Sequence, residues 1–289
     1  MKPNYKNIAN VLLSKIWEDF TCRNSNISSL WTKNGVDMWQ FLFEKGLHEI
    51  KDHEDSFFAL AAGIECNNLT LVSFLTEKGV NLHFEIKGDY SDKDNPHVRK
   101  ETQKTPGMLA IEKGDLKLIK HLISVENIVN WESSEGETMF SWAVKYDKYE
   151  IAKYLIEVGA IVKGYHHGIG ENCPIHNAVR NRNYDMVKLL IENGADVNVV
   201  NERKESIFHI AFDCSGQPKE KFEMIKFLAN LNVNPNLKAI YEHKQYTPFE
   251  VAKDWERDIM GEFSKKEYHE ISDFLKDYEK EYNNKVVLI

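Results

Sequence analysis

Four residues near the middle of the chain carry the donor types of a zinc site. His166, His167, Cys173 and His176 fall within eleven residues, and imidazole nitrogen and thiolate sulfur are ligands that zinc takes. Nucleophilic catalysis is a second possibility, in which a cysteine attacks after a nearby histidine has taken its proton. The cysteines stand at 22, 66, 173 and 214. Cys66 or Cys214 could pair with a histidine in this way, but no supporting spacing exists, and a free cysteine is more often a small core residue. The sequence has no CxxC pair, Gly-rich phosphate loop, paired-carboxylate motif or nucleophile elbow. What these side chains can do therefore depends on the elements that hold them.

The residues around Cys173 predict two short helices. Pro174 suits a first helical turn, where its missing N–H and fixed φ cost nothing, and this puts Cys173 at the N-cap. Apolar residues recur at helical spacing, first Ile175, Ala178 and Val179, then Met186, Val187, Leu189 and Leu190. Leu189 and Leu190 are expected to face neighbouring helices. Gly194 stands where a left-handed residue closes the second helix, and Ala195-Asp196-Val197-Asn198 leads out in extended form. A single unit of this size cannot bury its own apolar face, so copies of it should lie on either side.

The copies are present. Residues 30–46 close at Gly46, and residues 58–84 close at Gly79, 33 residues later. Residues 105–130 place Glu126 where the closing Gly belongs, 47 after Gly79, and the surplus falls in the charged, apolar-poor stretch 85–103, which should loop out. Residues 138–160 close at Gly159, 33 after Glu126, and the central unit closes at Gly194, 35 later. Residues 206–236 carry a small insertion at 215–221, and residues 247–278 are stretched by 255–266. Ahead of them all, Ile8, Val11, Leu12, Ile16 and Phe20 mark one face of a helix.

Thr105-Pro106, Cys173-Pro174-Ile175-His176, Ser206-Ile207-Phe208-His209 and Thr247-Pro248, on a period of about 33 residues, resemble the ankyrin repeat with its T-P-L-H-x-A signature. So does Gly194-Ala195-Asp196-Val197-Asn198. The resemblance covers residues 30–278 and implies an all-α solenoid of about seven helix-turn-helix repeats with degenerate terminal caps. A capping helix at 1–24 would precede an ankyrin repeat domain at 25–281, with a tail at 282–289. Its repeats would be 25–50, 51–84, 101–131, 132–163, 169–200, 202–236 and 243–281, with a charged insertion at 85–100. In this register His176 matches the family's structural His and Cys173 its helix-capping Thr, leaving His166 and His167 as two adjacent histidines on a finger. No metal, cofactor or catalytic residue is then expected, and a chelator should leave folding unchanged. Ser141 and Gly107 stand where the family's His would be, and Glu126 replaces the turn Gly, so those joints should be less regular.

The family resemblance also implies that a partner protein is read by the hairpin fingers and the first helix of each pair, which form one concave surface. Carried over by register, the partner-binding residues are Tyr146, Arg180, Trp142 and Tyr165 at the centre, with Glu135 and Glu137 on the preceding finger. Lys113, Asn181, Arg203, Asp213, Tyr246 and Trp255 extend the row. Tyr, Trp and Arg are the types enriched at binding hot spots. The expected function is non-catalytic protein–protein interaction; the alternative is an enzyme or metal-dependent activity built on the insertions 85–103 and 254–267. A closed pocket with convergent polar groups at those insertions would favour the enzyme.

Composition narrows the partner. With 42% hydrophobic and 28% charged residues in 289, the chain can build a substantial core. A net charge of −8 argues against nucleic acid, whose binding rests on Lys and Arg neutralising phosphates. The longest apolar run, residues 57–64, is far below the ~20 residues that span a bilayer. A monomeric, cytoplasmic protein is expected. Glutamates 262, 267, 270, 279 and 281 ahead of Val287-Leu288-Ile289 also resemble the acidic C-terminal export signals of bacterial effectors, which would imply release into a host cell by a non-classical route. The Val-Leu-Ile terminus has the form that strand-addition domains capture.

Overall fold

Four of the helix pairs reverse at a residue with positive φ. These are Asn67 (53°), Gly114 (73°), Asp147 (56°) and Arg182 (54°), and in three of the four the next residue caps the second helix. Asn68 Oδ1 accepts the Leu71 N–H at 3.1 Å, Asp115 Oδ1 accepts from Lys117 and Leu118, and Asn183 Oδ1 accepts from Met186 at 2.8 Å. A short polar side chain at that position satisfies helix N–H groups that have no partner within the helix. The second helices end on left-handed residues at Gly79, Gly159, Gly194 and Asn232. Asn81, Asp196 and Asn234 follow, and each accepts the N–H two residues on, at 2.7, 2.8 and 2.9 Å.

The computed structural model describes residues 54–91, 99–162, 173–213, 216–241, 244–258 and 262–287. The expected N-terminal helix, the repeat at 25–50, Tyr165, His166, His167, Cys22, Cys214, Leu288 and Ile289 lie outside the described residues. Contacts divide the chain into two compact units, Met1–Ala143 and Val144–Ile289.

The first unit contains α1 (Glu54–Glu65), α2 (Leu69–Glu77), the strands β1 (Ile86–Ser91) and β2 (Arg99–Lys104), α3 (Pro106–Lys113) and α4 (Leu116–Val125). The division falls within α5 (Met139–Lys145). The second unit continues with α6 (Tyr149–Glu157), α7 (Pro174–Arg180), α8 (Tyr184–Glu192), α9 (Ile207–Asp213) and α10 (Pro218–Asn230). It ends with the strands β3 (Ala239–Tyr241) and β4 (Lys244–Tyr246), α11 (Pro248–Asp258) and α12 (Glu262–Val287). The described residues are thus mainly helical, with two small antiparallel hairpins.

The described residues of the first insertion form two paired strands. β1 pairs with β2 from Ile86↔Lys104 to Ser91↔Arg99, so backbone ladder bonds hold a segment that has few apolar residues. The second insertion lengthens helices: α11 runs to Asp258, and α12 runs from Glu262 through Val287, taking up most of the expected tail.

The core lies where the paired helices face one another, and two expectations need correction there. On α8, Met186, Val187 and Leu190 are fully buried whereas Leu189 is half-buried. The buried set keeps the i, i+1, i+4 spacing of one helical face, and Leu189 is rotated off it. Gly107 does not occupy the histidine position either. Met108 does, and its Sδ accepts the Thr105 N–H at 3.5 Å. Gly107 is needed for close approach instead, since a Cβ there would lie 2.6 Å from Met139 Sδ. The joint at Glu126 departs from the others as expected: its φ is −150°, so α4 ends in extended backbone instead of a left-handed turn.

Candidate functional site

Four of the first helices begin the same way, with different chemistry. The N-cap N–H is accepted by a side chain three residues on: Met108 Sδ for Thr105, Ser141 Oγ for Thr138 at 2.9 Å, His209 Nδ1 for Ser206 at 3.1 Å, and Glu250 Oε2 for Thr247 at 2.7 Å. Cys173 is the exception. Its side chain makes no capping bond, and His176 Nδ1, fully buried, has no hydrogen-bond partner.

The two histidines also reach forward. His176 Nε2 donates to the Glu205 carbonyl at 3.2 Å and His209 Nε2 to the Tyr246 carbonyl at 3.0 Å, so each stitches its helix to the following finger. Burial favours the neutral ring in both and pushes His176 down to about 4, against the pull of the Glu205 carbonyl. These are structural side chains.

The residues assigned by register divide into several groups. In the first unit, Lys113 forms an ion pair with Glu65 of the preceding pair, and Glu112 pairs with Lys104 at 2.8 Å. Glu137 accepts from Ser141 Oγ at 2.5 Å, which ties it to the start of α5. Glu135 is half-buried, next to Ser134, whose N–H and Oγ donate to Glu85. Trp142 is 2% exposed, so its ring belongs to the core and not to an open surface; Met139, Phe140 and Ala143 around it are equally buried.

In the second unit Tyr146 is half-buried and Arg180 exposed. Asn181 is exposed too, but its amide donates to the Val144 and Lys145 carbonyls at 3.1 and 3.2 Å. It therefore caps the last turn of α5 and fixes the end of α7 against it. Arg203 is exposed on its finger, and its carbonyl accepts the Ile240 N–H at 2.9 Å, joining that finger to β3. Asp213 ends α9, and its side chain lies outside the described residues.

Tyr246 and Trp255 come together. With His209, Phe212, Tyr241 and Asp254 they line a cavity of about 300 Å³. The rings of Tyr241 and Tyr246 lie 6.1 Å apart and those of His209 and Tyr241 6.5 Å apart. Sequence reasoning missed Tyr241 and Phe212. Tyr241 and Tyr246 end the paired segments of a hairpin, a signal that three-residue strands are too short to give. The cavity brings a histidine and a carboxylate together, as an enzyme would require, yet both ring nitrogens of His209 are already hydrogen-bonded.

Thiol and metal chemistry find little support among the described residues. Burial and the neighbouring Glu65 push the Cys66 thiol up, and burial does the same to Cys173; a reactive thiol needs the opposite shift. Among the described residues no group of three His, Cys, Asp or Glu side chains is placed to hold a metal ion. No helix among them is long and apolar enough to cross a membrane.

A family model for ankyrin repeats, in three copies, matches residues 86–166 and 161–239, together more than half of the chain. The chain belongs to the ankyrin repeat family. An ankyrin repeat protein of fowlpox virus is 36% identical over 69 residues, which is 24% of this chain and 15% of that protein. An ankyrin repeat protein of Rickettsia felis is 27% identical over 155 residues, 44% of this chain and 38% of that protein. The chain thus spans well under half the length of these relatives. The ankyrin repeat domain of Bcl-3 matches with a TM-score of 0.49 at 20% identity, over 67% of this chain and 76% of that one. Ankyrin repeats are in general protein–protein interaction modules, and the ankyrin scaffold is typically non-catalytic.

Proposed function

We propose that this ankyrin repeat chain is a non-catalytic module that binds a partner protein on the face formed by the fingers and the ends of the first helices. The observation that carries this reading is the clamp at Asn181. Its amide holds the Val144 and Lys145 carbonyls, so the ends of α5 and α7 present Tyr146 and Arg180 from a fixed frame. An aromatic ring loses little freedom on binding and a guanidinium offers planar hydrogen bonding, so the pair suits a protein surface. The net charge of −8 favours a partner with basic groups over nucleic acid.

The test is capture of a partner from cell lysate by the full chain, followed by titration of that partner. The double change Tyr146→Ala/Arg180→Ala is expected to weaken binding by more than about 2 kcal/mol with the melting temperature nearly unmoved. Changing Lys188 and Glu192, both exposed on α8, should do neither. If the α8 pair abolishes binding and the Tyr146/Arg180 pair does not, the partner uses the opposite face and this reading fails.

A further inference from the structure

The cavity in the second unit has the chemistry of a receptor for one flat cation. Phe212, Tyr241, Tyr246 and Trp255 supply rings, His209 a fifth, and Asp254 a carboxylate. We propose that it receives the guanidinium of an arginine side chain presented by the partner protein, which rests on the reading that this face binds a protein.

Three observations support a cation. Aromatic faces carry the negative end of a quadrupole and attract positive charge within about 6 Å, and Trp255 already does so: Lys221 Nζ lies 4.7 Å from its ring centroid while donating to the Phe212 carbonyl. Asp254 already meets a guanidinium as well. Its Oδ1 lies 3.4 Å from Arg257 Nη2, on a side chain that is 71% exposed. Such an exposed pair is weak and screened by solvent, so it gives way to a better-placed arginine. The His209 ring adds no opposing charge, because its nitrogens are spent on Ser206 and Tyr246 and its burial keeps it neutral.

The same surroundings select arginine over lysine. Lys221 is buried, does not line the cavity, and places a like charge close to Trp255. That reduces the Coulombic reward for any guest, and a compact, strongly hydrated ammonium has the least left to offset its dehydration. A guanidinium is more weakly hydrated, stacks flat on rings and presents a fork to a carboxylate. About 300 Å³ lies at the small end of ligand pockets and suits one side chain better than a cofactor.

The probe is Nα-acetyl-arginine amide, titrated into the full chain while the Trp255 indole N–H is followed by NMR and assigned with Trp255→Phe. Saturable shifts with a Kd of the order of 1 mM are expected for a guest of this size. Nα-acetyl-citrulline amide has the same shape without the charge and should bind at least about tenfold more weakly. Asp254→Asn should weaken the arginine probe about fivefold, and Arg257→Ala should strengthen it about twofold by removing the resident competitor. Equal binding of citrulline would make the cavity an ordinary apolar slot. Tighter binding of the lysine amide would remove the guanidinium assignment, and no saturable shift at twenty times the expected Kd would remove the site. Because Tyr146 and Arg180 do not line the cavity, this test and the partner titration can each fail alone.

Discussion

At Ser206 and at Cys173 the chain begins two first helices of one repeat design, each three residues ahead of a fully buried histidine. At Ser206 the design is complete: His209 Nδ1 accepts from the Ser206 N–H and from its Oγ at 2.8 Å, and Nε2 donates to the Tyr246 carbonyl. At Cys173 the thiol caps nothing, and Nδ1 of His176 is buried without a partner although Nε2 still reaches the Glu205 carbonyl. The fold is the same at both joints, so hydrophobic packing sets the position of these helices and polar chemistry adjusts how firmly each is held. A repeat fold can therefore tolerate an unfinished joint where neighbouring repeats supply the burial.

The largest expected effect would break this comparison if it came out unequal. Leu190 on α8 and Leu228 on α10 are both fully buried, and each truncation to Ala should cost about 2–5 kcal/mol in urea unfolding. If the joints differ in chemistry and not in packing, the two costs should agree to within about 1 kcal/mol. Leu189→Ala, at a half-buried position, should cost clearly less than Leu190→Ala.

Acid should act on both joints. Burial lowers the proton affinity of His176 to about 4 and also lowers that of His209, whereas an unfolded histidine titrates near 6.5. Between those pH values the unfolded chain binds more protons than the folded one, so stability rises with pH. The contribution is complete above about pH 6.5 and is lost as pH falls towards 4, on the order of 3 kcal/mol for His176. Urea melts across that range should show the slope, and His176→Gln should flatten it; an unchanged slope in that variant would mean that other groups carry the acid sensitivity.

How much of this was legible in the sequence depends on whether the signal was local. The repeat was legible because caps and left-handed turns recur with the chain, as at Asn67-Asn68, Gly114-Asp115 and Arg182-Asn183. The hairpin at Ile86–Lys104 was not, because its pairing is carried by backbone and its residues lack an apolar alternation. Adjacent apolar residues such as Leu189 and Leu190 look alike in a sequence and are separated only by helical phase. Trp255 and Tyr246 could be placed by register one at a time, while the cavity also needs Phe212 and Tyr241 from other elements, and no spacing announces that.

Removing each histidine sharpens the comparison directly. His209→Ala leaves the Ser206 N–H and the Tyr246 carbonyl without their partner, whereas His176→Ala leaves the Glu205 carbonyl and spares the N-cap N–H. The volume lost is the same. A buried group left unsatisfied costs about 1–3 kcal/mol, so the change at 209 should exceed the change at 176 by about 1–2 kcal/mol. Equal losses would mean that the Nδ1 side of His209 contributes nothing to stability.

The smallest effect tests whether the unfinished joint can be completed. Thr105 shows what a hydroxyl does at this position, where its Oγ1 accepts the N–H of Met108 at 3.2 Å, and Ser206 shows an Oγ reaching a histidine Nδ1. Cys173 has extended backbone, with φ −62° and ψ 159°, close to the −81° and 161° of Thr105, so Cys173→Thr needs no change of conformation. The His176 N–H already donates to the Cys173 carbonyl at 2.9 Å, so the gain from the new hydroxyl is its donation to the orphaned Nδ1, raising stability by about 1 kcal/mol. Cys173→Ala removes a thiol that caps nothing and should stay near neutral. A Thr variant no more stable than the Ala variant would show that Nδ1 is satisfied by water at no cost, and the difference between the two joints would then lie in their solvation and not in their strength.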